Sequence, residues 1–284
     1  MYKLLALDMD GTLLNNKKVI TEEVRQEINN LLKKDIKVTI ATGRFPASVW
    51  LHGQSLNLTS PLVALNGAVI LEPVNGESIE TSPLPSKVAK KIADFAQKNN
   101  VYVHFYGYNV LYVEKTNDMN QRWAIANVVM DEAKELTETN YRDQLAHFSL
   151  EEVGNLSDFV TKADHPALFK ATIIDEDTDL IEKLYQDISN WSELNVTRTG
   201  KRRFDINLAG VSKKTALIDI CKRLGVKQRE VVAAGDYDND AEMINWAGLG
   251  VAMENGNDFI KEMADDITTS NEENGVAELI KKHF

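Results

Sequence analysis

The sequence predicts an α/β fold: a doubly wound parallel sheet core interrupted by an inserted α+β domain. Three observations predict it. Apolar runs of strand length stand at Leu4–Leu7, Lys37–Ala41, Pro61–Leu65 and Glu230–Ala234, and Leu4–Leu7 shows no polar alternation, as in a central strand covered by helices on both faces. Helical apolar stripes alternate with these runs at both ends of the chain, the pattern of βαβ units. Between the two ends the texture changes to strands joined by short turns.

Taken in order, Leu4–Leu7 leads into Asp8-Met9-Asp10-Gly11-Thr12-Leu13. Thr21 is placed to cap a helix whose apolar stripe is Val24, Ile28, Leu31 and Leu32. Lys37–Ala41 ends in Thr42-Gly43-Arg44, and Pro46 opens a further helix through Leu51. Pro61–Leu65 reads as a third strand ending in Asn66-Gly67-Ala68. Val69–Leu71 and Ser78–Thr81 read as a hairpin around Asn75-Gly76. Ser82-Pro83-Leu84-Pro85-Ser86 is a proline-punctuated linker.

The middle of the chain reads as a helix over Ser86–Lys98, strands over Val101–Tyr106 and Val110–Glu114, and a helix over Asn117–Met130. A polar, irregular stretch covers Glu132–Ala167. A strand over Leu168–Ile174, a helix over Thr178–Ser189 and strands over Glu193–Arg198 and Arg203–Ile206 complete the insertion. After Gly210 the alternation resumes: a helix over Ser212–Leu224 closed by Gly225, the strand Glu230–Ala234, a helix over Ala241–Trp246, a strand over Gly248–Ala252, and helices over Asp258–Met263 and Gly275–Lys282. The expected domains are therefore a core of residues 1–83 and 208–284 and an inserted domain of residues 84–207.

Composition narrows the function. The 284 residues are 43% hydrophobic and 26% charged, ordinary for a soluble globular protein. The formal charge of −11 argues against a nucleic-acid backbone as partner. It leaves any bound anion to a few local cations and a metal. The absence of a long apolar run predicts no membrane span. The opening Met1-Tyr2-Lys3 carries no signal-peptide pattern, and the lone Cys221 suits a reducing cytoplasm. Cys221 shares an apolar helix face with Leu217, Ile220 and Leu224, and reads as a small core hydrophobe.

In open α/β sheets ligands sit beyond the carboxyl ends of the strands. Those ends carry Asp8 and Asp10, Thr42 and Gly43, and Asp236 with Asn239 and Asp240, while Lys213 opens a core helix. Together they supply what phosphoryl transfer needs, which is positioning plus neutralisation of the oxygens. Asp8 offers a nucleophilic carboxylate oxygen, and Asp10 a general acid/base. The Thr42 hydroxyl and the Gly43 N–H are donors for phosphate oxygens. Lys213 is a compact charge for nucleophile and phosphate, and Asp236 with Asp8 forms a hard oxygen site for Mg2+.

The sequence resembles the haloacid dehalogenase superfamily. Asp8-Met9-Asp10-Gly11-Thr12-Leu13 is similar to its first signature, Ala41-Thr42-Gly43-Arg44 to its second, Gly210-Val211-Ser212-Lys213 to its third, and Gly235-Asp236-Tyr237-Asp238-Asn239-Asp240 to its fourth. The order, the long insertion between the second and third, and Asn66-Gly67-Ala68 resemble the Cof-type branch, subclass IIB. The resemblance implies a Rossmann-like core, an inserted C2-type cap that acts as a lid, and Mg2+-dependent hydrolysis of small phosphorylated metabolites, often sugar phosphates. It implies Asp8 as nucleophile, Asp10 as acid/base, and Thr42, Gly43, Arg44, Asn66, Lys213 and Asn239 around phosphate or substrate. It implies Asp8, Asp10, Asp236 and Asp240 at the metal.

Lys214 stands where the branch usually has glycine, so either lysine can face the phosphate, with Lys213 favoured; Tyr237 replaces a common serine. Arg44 either touches substrate or braces the loop, and Asn66 either touches substrate or shapes its turn. Tyr106, Arg122, Lys201 and Arg202 are the cap candidates for specificity. A phosphomutase of the same superfamily and a phosphate-sensing module that does not turn over stay open as alternatives.

Overall fold

The protein is described from a computed structural model covering residues 1–127 and 147–284, with only the backbone at 124–127. The end of the expected helix Asn117–Met130 and most of the expected irregular stretch, residues 128–146, lie outside the described residues.

The core sheet has five parallel strands in the order β14-β13-β12-β1-β2. These are β1 (Leu4–Leu7), β2 (Lys37–Ile40), β12 (Val231–Gly235), β13 (Leu249–Met253) and β14 (Asp266–Thr268). Leu4 to Leu7 are wholly buried, at 0% exposure, because β1 is central: Leu7 pairs with Ala234 on one side and Ile40 on the other. Its unbroken apolar run divides between two faces. Leu5 and Leu7 pack with Val24, Ile28 and Ile280; Leu4 and Ala6 pack with Leu217, Ile220 and Ile244. Burial of each such side chain stabilises the fold by about 1.5–3 kcal/mol.

The loop after β1 leads to the helix Glu22–Lys33 on the first face, and the loop after β12 to Ala241–Trp246 on the second. The two loops thus part company at the carboxyl ends of adjacent strands, which opens a crevice there. Local signals set the helix ends as expected. Thr21 accepts from the Val24 N–H, Ser212 forms a capping box with Thr215, and Gly225 closes its helix at φ 66°.

Three elements differ from expectation. Leu62–Ala64 (β3) is not a full strand of the core sheet. It pairs antiparallel with β4 (Val69–Leu71), which pairs with β5 (Ser78–Thr81), and touches the core sheet through a bridge from Val63 to Ala41. Leu65 and Asn66 both take positive φ and turn the chain back on itself. The fifth core strand, β14, escaped notice because Asp-Ile-Thr offers no apolar run. Within the stretch expected to be irregular, β8 (Ser149–Glu152) and a turn of helix at Leu156–Phe159 form.

The insertion folds around a six-stranded sheet in the order β10-β11-β9-β6-β7-β8, antiparallel except for β7 with β8. Its strands are β6 (Tyr102–Tyr106), β7 (Val110–Val113), β8, β9 (Lys170–Ile174), β10 (Leu194–Gly200) and β11 (Arg203–Leu208). Phe105, Ala171, Ile173, Phe204 and Ile206 pack under the helices Ser86–Lys98 and Thr178–Ser189. The alternate positions, including His104, Tyr106, Lys170, Thr172, Asp205 and Asn207, form a second face that is polar yet buried. This face meets the core. Phe45 packs on Tyr106 (centroids 4.9 Å apart) and Phe148 (4.5 Å), and Asn207 Nδ2 donates to the Leu65 carbonyl at 3.0 Å. Among the described residues, no helix is long and apolar enough to cross a membrane.

Phe45 is fully buried at this junction. Phe45→Ala is expected to cost about 3–5 kcal/mol in urea unfolding; a loss under about 1 kcal/mol would show that the two sheets are not joined through this ring.

Candidate active site

The site is assembled at the crevice from the ends of separate elements. Asp8 follows β1, Asp236 follows β12, Asp240 precedes the helix Ala241–Trp246, and Lys213 is the first residue of the helix Lys213–Leu224. The capping box of Ser212 fixes the start of that helix and hence the direction of Lys213. The Lys213 ammonium is wholly buried and donates to Asp8 Oδ1 at 2.5 Å and to Asp240 Oδ1 at 2.7 Å. Lys214 points elsewhere and pairs with Glu242 at 2.7 Å. Lys213 is therefore the lysine that faces Asp8.

Asp240 is held from behind, its Oδ2 accepting the backbone N–H groups of Asp236 (3.1 Å) and Tyr237 (3.2 Å). Asp8, Asp236 and Asp240 each bring a carboxylate oxygen into a cluster within 4.8 Å. Gly11 makes room for it: a Cβ there would lie 2.4 Å from Asp236 Oδ2, and φ is +84°. Three carboxylates thus face one ammonium. Burial, then repulsion from Asp8 and Asp240, pushes the Asp236 carboxyl up to about 9. Burial, then Asp240, pushes Asp8 up to about 7 against the pull of Lys213. Burial opposes the charge of Lys213, but Asp240 and Asp8 outweigh it and push the ammonium above its ordinary value. A hard divalent cation relieves this excess of negative charge, and the donor set of carboxylate oxygens fits Mg2+.

Asp10 is not part of the cluster, although it was expected at the metal with the other three. Its carboxylate faces the opposite wall, where Arg44 holds it bidentately (Nε to Oδ2 2.6 Å, Nη2 to Oδ1 2.6 Å) and Lys18 donates to Oδ1 at 2.6 Å. Burial opposes the Asp10 charge, but Arg44 and Lys18 overcome it and hold the carboxyl well below its usual range. Arg44 grips Asp10 from a buried position and also lines the cleft beside it.

Thr42, Gly43 and Asn239 line the cleft with Asp8, Asp10 and Asp236. Asn66 does not line it. Buried behind Gly43, it donates to Asp205 Oδ2 at 2.8 Å and Asn207 Oδ1 at 3.3 Å, and accepts from Asn239 at 3.3 Å. It ties the core to the inserted sheet rather than facing a ligand.

The cleft encloses about 1080 Å3 between the core crevice and the polar face of the inserted sheet. Of the expected cap residues, Arg122 lines it. Tyr106 is buried behind, its ring under the Lys170 ammonium (4.0 Å) and its hydroxyl accepting from Trp123 Nε1 at 2.7 Å. Lys201 and Arg202 stand exposed at the turn between β10 and β11, Arg202 pairing with Glu176, and neither lines the cleft.

The sequence reading missed Trp123, Lys170, Thr199, Arg203 and Asp205, which all line the cleft. Lys170 donates to the Gly43 carbonyl at 2.8 Å and to Asp205 Oδ2 at 2.9 Å, and Asp205 Oδ1 accepts from Thr172 at 2.7 Å. Their signal was the period-two polar pattern in Lys170-Ala171-Thr172 and Arg203-Phe204-Asp205-Ile206-Asn207, which in isolation reads as a solvated face.

Comparison with known proteins agrees with this geometry. A family model described as haloacid dehalogenase-like hydrolase matches residues 5–280. The chain is 31% identical to the 5-amino-6-(5-phospho-D-ribitylamino)uracil phosphatase YcsE of Bacillus subtilis (strain 168), over 98% of this chain and 94% of that protein. It is 30% identical to YitU of the same organism, which bears the same activity name, over 99% and 97%. Among solved structures, a haloacid dehalogenase-like hydrolase from B. subtilis superposes with a TM-score of 0.86 at 25% identity, covering 99% of this chain and all of that one (100%). The subclass IIB sugar phosphatase BT4131 shares the fold, with a TM-score of 0.78 at 23% identity over 99% and 98% of the two chains. The chain belongs to the haloacid dehalogenase superfamily and is a hydrolase that acts on phosphoric monoesters.

Proposed function

We propose that the protein hydrolyses small phosphorylated metabolites, sugar or polyol phosphates above all, with Mg2+ and through a phosphoryl group carried on Asp8. The observation that carries the reading is the buried Lys213 ammonium fixed between Asp8 and Asp240 beside an unbalanced acidic cluster at the floor of a cleft. Residues 84–207 act as the cap that roofs this cleft. The names of the relatives YcsE and YitU, whose substrate carries a phosphate on a ribityl chain, support a polyol phosphate.

In this reading one Asp8 oxygen stays on Lys213 and the other attacks phosphorus, forming the Asp8–phosphate bond as the ester oxygen leaves. Lys213 offsets the charge gathering on the transferred group. Thr42 and the Gly43 N–H orient it. Mg2+, held by Asp8, Asp236 and Asp240, would neutralise phosphoryl oxygens. Asp10, kept ionised by Arg44 and Lys18, is suited to take the proton from the water that then releases phosphate from Asp8. To protonate the leaving oxygen it must first lose part of that cationic grip, as when a phosphate dianion draws Lys18 or Arg44 toward itself.

Three outcomes test the reading. Asp8→Asn is expected to lower turnover of p-nitrophenyl phosphate on the order of 10^3-fold or more while circular dichroism is unchanged; retained turnover would remove Asp8 as the attacking group. Free phosphate should be the product, and return of phosphate to the sugar would favour a mutase. Arg44→Met removes a cation beside Asp10 and so raises its carboxyl: because Asp10 takes its proton in the step that releases phosphate from Asp8, the acidic limb of kcat is expected to move to higher pH. An unmoved limb would take Asp10 out of the rate law.

Metal linkage gives a further outcome. Because Asp8 and Asp236 are pushed up, the folded metal-free protein holds protons that the unfolded chain has released. This contribution to stability therefore falls as pH rises from the ordinary carboxylate range toward about 9. Mg2+ requires the ionised ligands and competes with those protons. The rise in Tm produced by Mg2+ is expected to be larger at pH 8.5 than at pH 5.5 and to vanish with EDTA. An equal rise at both pH values would place the ion elsewhere.

A further inference from the structure

The cations of the cleft are not all engaged alike. Arg44 and Lys18 are bound to Asp10, and Lys170 to Asp205. Arg203 differs. Its guanidinium lies 4.6 Å over the Trp123 ring, and its Nε donates to the Thr199 carbonyl at 3.0 Å. These contacts fix the plane of the group while its terminal nitrogens meet no carboxylate among the described residues. Arg122, also on the cleft wall, has no acidic partner among them either. An oriented fork beside a second guanidinium is matched to a planar, doubly accepting anion. In a chain of formal charge −11, two arginines in the wall of one cleft that pair with no acid among the described residues have a use in binding rather than in stabilising the fold.

The position along β11 says which part of a substrate they meet. Asn207 bonds to the Leu65 carbonyl and Asp205 to Asn66, both beside the phosphate loop. Arg203 lies four residues before Asn207 on the same strand face, about 13 Å along the strand at ~3.3 Å per residue. It therefore stands on the cleft wall about that far along the strand from the Asn207 end, where it would meet a part of the substrate other than the group held at Thr42 and Gly43.

We infer that Arg203, with Arg122, selects substrates whose leaving group carries a second anionic group, a carboxylate or a second phosphate, at the end remote from the ester being cleaved. This rests on the phosphatase reading above and deepens it. Trp123 acts as a positioning residue, holding the guanidinium plane open to the cleft.

Two matched pairs test it. D-glucitol 6-phosphate and 6-phosphogluconate differ by a remote carboxylate; fructose 6-phosphate and fructose 1,6-bisphosphate differ by a remote phosphate. The wild-type enzyme is expected to favour the partner with the second anionic group in at least one pair by about tenfold or more in kcat/KM, the size of a charge-assisted bidentate contact. The favoured pair identifies the anion. Arg203→Gln should bring that ratio to near one, and Arg203→Lys, which keeps charge without the fork, should leave an intermediate ratio. Calorimetry with Asp8→Asn protein reads the same preference as a ratio of Kd without turnover. Inactivity toward all four compounds and p-nitrophenyl phosphate would overturn the phosphatase reading, while calorimetry still decides the fork. Ratios near one in both pairs, a ratio unmoved by Arg203→Gln, or an equal fall for both members of a pair would overturn the inference.

Discussion

The buried ion pair of Lys213 with Asp8 and Asp240 is the constraint on which the rest of the structure depends. A charge with no access to water is tolerated only when its partners meet it with good geometry. Here the partners come from the end of β1, the start of a helix that follows the insertion, and the turn after β12. Removing Lys213 leaves the buried carboxylates uncompensated, at about 3–5 kcal/mol. The core sheet is in effect pinned at its functional edge. The pinning is also what keeps Asp8 aimed outward, because one of its oxygens is committed to Lys213.

The same logic continues upward into the roof. Lys170 and Asp205 are buried partners on the inserted sheet, and both reach across to the core, Lys170 to the Gly43 carbonyl and Asp205 to Asn66. Desolvation tends to discharge Lys170, and Asp205 offsets that in part. A polar network that straddles two sheets holds only when every member is satisfied. The packing of the inserted sheet on the core is therefore linked to the placement of the Thr42–Gly43 loop. Phe45, next to Arg44, adds an apolar contact to Tyr106 and Phe148 at the same junction.

Opposite electrostatic surroundings separate the two acids of the first loop. Asp8 shares its space with two further carboxylates and is driven toward its protonated form unless a cation intervenes. Asp10, two residues on, is gripped by two cations and stays charged. Placing similar side chains in environments that push their proton affinities apart is a general way to divide roles within one site.

The sequence by itself determined the class of fold, the family it resembles and most of the core strands. It could do so because two-sided burial leaves an unbroken apolar run, as in Leu4–Leu7 and Val231–Ala234, and because Thr21, Ser212 and Gly225 act through local hydrogen bonds and dihedral angles. Only the tertiary structure decided that Lys213 rather than Lys214 faces Asp8, that Asp10 belongs with Arg44 instead of the acidic cluster, and that Asn66 binds the insertion. It alone revealed Lys170, Asp205 and Arg203 as the roof. Polar residues at every second strand position follow the same pattern whether water or another sheet covers them, and the partners of Lys170 in Asp205, of Arg44 in Asp10 and of Lys213 in Asp8 lie more than thirty residues away along the chain.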